Sequence, residues 1–346
     1  MYIMATELNI AIGCASSHLH LTEVYQGFVF TSPENHIELP KLKACKSEWG
    51  QKTNTSFMED GCTEFPIKIE LIYLSYSECE FYSINSSLST NIIRNFCNKY
   101  DSEIIIGLSP YGNVAVWIHS HNKSIIVNWL KGEIAEIKMS DFHPYISHIS
   151  IKDYCSYYIN NDPHVKNNLE KHGLPPRNLF DNYMKQFTYR YLPIYGKWNK
   201  EEEKWMKYEE DETEPEFEYI EEALYDGTHD KLHDDGLLKY HQAGKPKKLA
   251  VKWHIKKSEY TAYFWFEDER IREVFDKFYG AHPDTKTDFI IRIDAEKRKY
   301  ELALYRYGLK EPQIIPEDVY QLLVFKNKFE DYRSDNYNQD RGAWIW

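Results

Sequence analysis

The sequence predicts an α+β protein of two tandem modules, each a small antiparallel β-sheet with an inserted helix and a further helix near its end. Three observations carry this: a repeated hairpin pattern, a helix-periodic segment after each copy, and a second pair of alternating runs after each helix. The chain has 346 residues, enough for two domains that each bury a core.

The first pattern is "FPIKIELIYLSYSECEFYSIN", matched later by "KPKKLAVKWHIKKSEYTAYFWFED". Apolar residues fall at every second position: Ile67, Ile69, Leu71 and Tyr73 in one, Leu249, Val251, Trp253 and Ile255 in the other. Each run meets a Ser-Glu step, Ser77-Glu78 or Ser258-Glu259, and continues into a second aromatic run, as a hairpin does. Helices follow, with Ile92, Ile93, Phe96 and Tyr100 on one face of the first and Ile271, Val274, Phe275 and Phe278 on one face of the second. Ser89 and Asp268 are the expected N-caps.

Next come "EIIIGLSPYGNVAVWIHSH" and "DFIIRIDAEKRKYELALYRYG". Ile104, Ile106 and Leu108 stand where Phe289, Ile291 and Ile293 do. The Ser-Pro-Tyr-Gly centre is read as a turn, since a phosphate loop needs a helix directly after it and a strand follows here. The layout extends to "GLPPRNLFDNYMKQFTYRYLPIYGKW" and "IIPEDVYQLLVFKNKFEDYRSDNYNQDRGAW", each expected to hold a helix started near Pro176 or Pro316. Each then shows a Tyr-Arg pair, Tyr189-Arg190 or Tyr332-Arg333, and a Gly-x-Trp close at Trp198 or Trp344; arginine stacked on aromatic faces would make an architectural clasp. The acidic run of residues 201–218 reads as a linker, with modules at 1–200 and 219–346.

This ordered set resembles the uncharacterised bacterial domain of unknown function family 2931, on "FPIKIELIYLSYSECEFY" and "IIIGLSPYGNVAVWI", here apparently as a tandem duplication. Many members of that family look like short lipoproteins, and some are thought to sit beside toxic effectors of contact-dependent secretion systems. The resemblance therefore implies an immunity role. It brings no agreed activity and no catalytic residues.

Composition narrows the function classes. A formal net charge of −12 argues against a nucleic-acid partner and suits a basic protein partner. No run reaches the ~20 apolar residues of a membrane helix. "NIAIGCASS" loosely resembles a lipoprotein cleavage box at Cys14, but Leu8, Ile10 and Ile12 alternate as a strand would, so a cytoplasmic location is expected. The six cysteines all lie in the first half and are read as reduced thiols.

No catalytic constellation is legible. His18 with His20, His119 with His121, and His229 with His233 (the last pair on a helix) are each half a metal site and are read as surface or turn residues. Cys155 with His148 and Cys97 with Arg94 are imaginable thiol pairs. Glu78 and Glu259 recur at the hairpin step, and a polar tip needs no catalytic role. Lys248, Lys252 and Lys256 lie opposite Val251, Trp253 and Ile255, as on a solvated strand face.

The expected protein is non-enzymatic and uses no cofactor or metal. It is a cytoplasmic immunity protein that neutralises a type VI or polymorphic toxin effector by direct binding. The expected contact residues are Trp205, Tyr208, Glu209, Glu210, Asp211, Glu212, Glu214, Phe217 and Tyr219, where aromatic anchors meet acidic side chains. The alternatives are a hydrolase with a site in the groove between modules, or an envelope-associated structural protein.

Overall fold

The computed structural model describes residues 13–16, 20–41, 49–50, 65–97, 102–207, 215–255, 257–280, 282–294 and 299–328. The chain divides into one unit of Met1–Met184 with Asp226–Thr228 and another of Lys185–Tyr225 with His229–Trp346.

The first unit begins with β1 (Gly13–Ser16), β2 (Thr22–Phe30), β3 (His36–Glu38), β4 (Lys68–Ser75) and β5 (Glu80–Ser87). Then come α1 (Thr90–Cys97), β6 (Glu103–Leu108), β7 (Asn113–His119), β8 (Lys123–Lys131) and β9 (Glu133–Ala135). One sheet runs β3-β2-β4-β5-β9; the other strands pair in the order β1-β6-β7-β8, with β1 parallel to β6. Alternation sends Ile69, Leu71 and Tyr73 of β4 and Ile104, Ile106 and Leu108 of β6 into one core, closed by Ile93 and Phe96 of α1. The other face of the β2-β4-β5 sheet is covered by α2 (Met139–Phe142), α3 (Ile151–Asn161) and α4 (Pro163–His172), whose Met139, Phe142, Tyr154 and Val165 meet Leu74, Tyr76 and Phe81. Ser150 and Asp162 cap α3 and α4 through their side chains. A short α5 (Leu179–Tyr183) places Phe180 against Trp49 and Trp117.

The second unit starts at β10 (Phe187–Tyr195) and the small hairpin β11 (Lys197–Asn199) with β12 (Lys204–Met206). It continues through β13 (Glu216–Leu224), β14 (His229–His233), α6 (Asp234–Leu237), β15 (His241–Ala243), β16 (Pro246–Ile255) and β17 (Ser258–Phe266). It ends with α7 (Asp268–Tyr279), β18 (Thr287–Asp294), β19 (Lys299–Arg306), β20 (Gln313–Ile314) and β21 (Tyr320–Lys328). Five strands pair as β14-β13-β16-β17-β21 and five as β15-β10-β18-β19-β20, with β10 parallel to β18. Leu249, Val251 and Trp253 of β16, Phe264 of β17 and Phe289 and Ile291 of β18 share a core with Ile271, Phe275 and Phe278 of α7.

Both hairpins and both inserted helices lie where the alternation and periodicity predict them. The Ser109–Gly112 turn joins β6 to β7, and the Tyr111 N–H donates to the Glu78 carboxylate, so a hairpin-tip acid already occupies the donor an anion would need.

Several expectations are corrected. Residues 317–319 form one 3-10 turn and β21 follows, where a helix was expected after Pro316. Nine register pairs with β17 outweigh the local Pro-Glu-Asp helix signal, because the edge of β17 would otherwise leave its backbone groups unpaired. The first unit ends at Met184 and the second begins at Lys185; Tyr189 to Tyr195 pair in parallel with Thr287 to Ile293 of β18. Described residues inside the expected linker are strand: Trp205 lies in β12 and Phe217 in β13. His229 and His233 sit on β14, not a helix. Ile92 points to solvent, and the cap of α7 is Glu267, with Asp268 instead bonded to Arg272. Arg190 does form a clasp, over Tyr240 and bonded to Asp288 at 2.7 Å, whereas Tyr332, Arg333 and Trp344 lie outside the described residues.

Candidate functional site

With Leu249, Val251 and Trp253 of β16 committed to the core, Lys248, Ala250, Lys252 and His254 must face outward. Register then assembles rows across the sheet. Tyr219 of β13, Lys252, Thr261 of β17 and Phe325 of β21 lie side by side; the next row is Glu221, Ala250, Tyr263 and Leu323, and the next Ala223, Lys248, Trp265 and Gln321. The result is an aromatic platform of Tyr219, Tyr263, Trp265 and Phe325 around the small Ala250.

Its rings are ordered by one another and by lysine. Tyr263 and Trp265 stack at 5.6 Å, and Phe325 meets Tyr263 edge-on at 5.8 Å. Lys248 Nζ lies 5.1 Å from the Tyr263 ring centre and 5.6 Å from that of Trp265. Lys231 and Lys252 approach Tyr219 at 3.8 and 5.5 Å. Lys248 and Lys252 are thus half-buried over rings, in place of the simply solvated lysines expected, and burial pushes the Tyr219 hydroxyl up to about 12. At the hairpin end, Lys252 Nζ stands 2.9 Å from buried Glu259 and 3.1 Å from Glu218. Burial alone would lower its pKa, but these carboxylates raise it. Glu218, His254 and Glu259 bring ligand-type atoms within 4.8 Å of one another, yet the Lys252 ammonium holds the position between the carboxylates where a cation would sit.

What sets this face apart is its cover. In the first unit, α2, α3 and α4 bury the face of β2-β4-β5 turned away from α1. In the second, α7 sends Ile271, Phe275 and Phe278 into the core and α6 sends Leu237 there; among the described residues no helix packs on the Tyr219–Phe325 platform.

The first unit also buries a polar hub under its helices. Glu23 of β2 accepts from Tyr154 Oη at 2.9 Å and from Tyr76 Oη, and lies 3.2 Å from His143 Nε2. Tyr154 Oη is itself 2.9 Å from His143 Nε2. Burial, then the Glu23 charge, pushes both tyrosine pKa values up, which keeps the hydroxyls protonated as donors. The hub clamps α2 and α3 to the sheet. A depression of ≈ 140 Å³ lined by Gln26, Phe28, Glu70 and Asn85 of β2, β4 and β5 is smaller than the ~300–1,000 Å³ of ligand pockets.

Of the expected contact residues that are described, Tyr219 stands on the platform. Phe217 packs on the core beside Trp253, and Trp205 meets Trp198 across the β11–β12 hairpin at 5.5 Å. Tyr208, Glu209, Glu210, Asp211, Glu212 and Glu214 lie outside the described residues. Tyr263, Trp265 and Phe325 were missed, although the alternation that buries Phe264 and Phe266 also turns Tyr263 and Trp265 outward. Cys155 is buried in the apolar cluster under α2, α3 and α4, and Cys97 in the core closed by α1. His20 is buried and bonds Ser77 at 3.0 Å.

Among the described residues no helix is long and apolar enough to cross a membrane. Residues 11–176 match the model of the family described as "Protein of unknown function (DUF2931)", the family that the sequence resembles. No curated protein and no solved structure matches the chain.

Proposed function

We propose that this protein is a non-enzymatic binding protein that holds a protein partner on the outward face of β13-β16-β17-β21. Read more concretely, it is a cytoplasmic immunity protein that occludes a secreted antibacterial toxin. The observation that carries the reading is the grouping of Tyr263, Trp265 and Phe325, with Lys248 over two of the rings, on the outward face of β16-β17-β21. Clustered tyrosine and tryptophan ordered by lysine supply anchors at low entropic cost. The net charge of −12 favours encounter with a basic partner.

Tandem duplication forms part of the proposal. Its support is the pairing order: β3-β2-β4-β5-β9 has the same form as β14-β13-β16-β17-β21, and β1-β6-β7-β8 the same form as β10-β18-β19-β20. Each set includes one parallel pair, β1 with β6 and β10 with β18, and each chain segment inserts its helix after the corresponding hairpin. On this reading one copy acquired helices over its outward sheet face, and the other kept that face for a partner.

The test is binding of the purified chain to the product of the adjacent gene. Binding at submicromolar concentration is expected, with Tyr263→Ala and Trp265→Ala each weakening it about 30-fold, the scale of a ~2 kcal/mol hot spot. Melting temperature should hardly change, since both rings are only half-buried. No binding at micromolar concentration would sink the immunity reading, and undiminished binding by both variants would sink the platform.

A further inference from the structure

Under the helices of the first unit, polar side chains from four segments converge inside an otherwise apolar cluster. Glu23 comes from β2, Tyr76 from the residue after β4, His143 from the end of α2 and Tyr154 from α3. The Tyr76 and Tyr154 rings lie 6.0 Å apart and within 24° of parallel, and both hydroxyls reach the same oxygen, Glu23 Oε2. The Tyr154 hydroxyl is 2.9 Å from that oxygen and 2.9 Å from His143 Nε2, which in turn lies 3.2 Å from Glu23 Oε1. Adjacent donors around an octahedral ion with ~2.1 Å bonds stand about 3.0 Å apart, so these atoms already have the spacing of ligands. Glu23, Tyr76 and Tyr154 are buried, with Phe81, Met139 and Phe142 in the same cluster. The His143 side chain keeps 22% exposure and gives the route from solvent.

We propose that this hub is a metal site for iron(III), bound by the Glu23 carboxylate, the Tyr76 and Tyr154 phenolates and His143 Nε2. Charge selects the ion. One carboxylate and two phenolates carry three negative charges, which a trivalent cation neutralises, and a buried centre cannot hold much uncompensated charge. A divalent ion would leave one of those charges unmatched or one phenol protonated. All three oxygens are hard donors, and imidazole also suits iron. In the metal-free hub, burial and then the Glu23 charge keep both hydroxyls protonated; a bound cation reverses that balance. Each phenol releases its proton to solvent as its oxygen bonds the ion, so two protons leave and the iron keeps its oxidation state. Between Glu218 and Glu259 the fixed Lys252 ammonium holds the place of a cation, whereas hydroxyl protons stand between the Glu23 carboxylate and the two tyrosine oxygens, and these can depart. The ion ties α2 and α3 to β2 and the end of β4 and so stabilises the first unit by mass action.

The test titrates the purified full chain, first stripped of metal by a chelator, with iron(III) nitrilotriacetate. The expected result is a visible phenolate-to-iron charge-transfer band that saturates at one ion per chain, with a melting temperature raised by several degrees. Tyr76→Phe and Tyr154→Phe should each weaken iron binding by more than the ~10–100-fold that loss of a supporting hydrogen bond to a ligand costs. The double variant should lose the band, and His143→Ala should keep it with weaker binding. Should the tyrosine variants not fold, X-ray absorption of the loaded, unsubstituted chain is read instead, where short iron–oxygen bonds and an imidazole shell are expected. No band from a chain that circular dichroism shows to be folded, a band undiminished in the folded double variant, or an iron shell without imidazole would overturn the proposal.

Discussion

Replacing Glu23 with alanine is expected to destabilise the first unit by about 3–5 kcal/mol, enough to threaten a fold of ordinary stability. The carboxylate accepts from Tyr76 and Tyr154, both buried, and faces His143. Removing it leaves two buried hydroxyls without their acceptor, at ~1–3 kcal/mol each, and opens a small void beside the ring of His143. Glu23→Gln keeps one acceptor oxygen and should cost less than half as much. Urea unfolding of both variants measures the difference. A loss below about 1 kcal/mol for the alanine variant would mean that the tyrosines find other acceptors and that the hub is dispensable.

The two units should also respond to pH with opposite signs. His20 is buried in the first unit, and burial lowers its pKa from 6.5 to about 4. Above pH 6.5 it is neutral whether folded or unfolded and has no effect. As pH falls from 6.5 towards 4 the unfolded chain takes up a proton that the folded unit refuses, so stability drops by up to ~3 kcal/mol and then levels off. In the second unit, burial would lower the pKa of His241, but the Glu222 carboxylate, 3.6 Å from its Nε2, raises it above 6.5. That contribution is complete below pH 6.5 and fades as pH rises through the raised value. Hydrogen exchange of β4 and β18 amides at pH 5 and 8 would separate the effects: β4 should be better protected against opening at pH 8, β18 at pH 5, after correction for intrinsic exchange. His20→Asn should flatten the acid side of the first profile, and an unchanged slope in that variant would exclude His20 as its cause.

The hairpins β4–β5 and β16–β17 and the helices α1 and α7 were legible because their signals are local. Alternation at Ile69, Leu71 and Tyr73, or at Leu249, Val251 and Trp253, states which side chains need burial without reference to the rest of the chain. The same arithmetic points Tyr263 and Trp265 outward. It cannot say whether a helix lies over them, because that depends on segments far away in sequence. Composition points instead to the acidic and aromatic stretch of residues 205–219, of which Tyr219 is described on the platform.

Taken alone, the sequence determined which faces of its strands and inserted helices are apolar, where the hairpins turn, and the resemblance of its first half to one family. Tertiary structure decided the rest. It made a strand of Tyr320–Lys328 because β17 offered a free edge, and it gave Phe187–Tyr195 to the second unit because β18 lay open for parallel pairing. It also put helices over one sheet and gathered Tyr263, Trp265 and Phe325 on the outward face of another. The division has one cause: side-chain periodicity is set within a few residues, whereas strand partners and the cover of a sheet are chosen by backbone hydrogen bonds and buried area gathered from the whole chain.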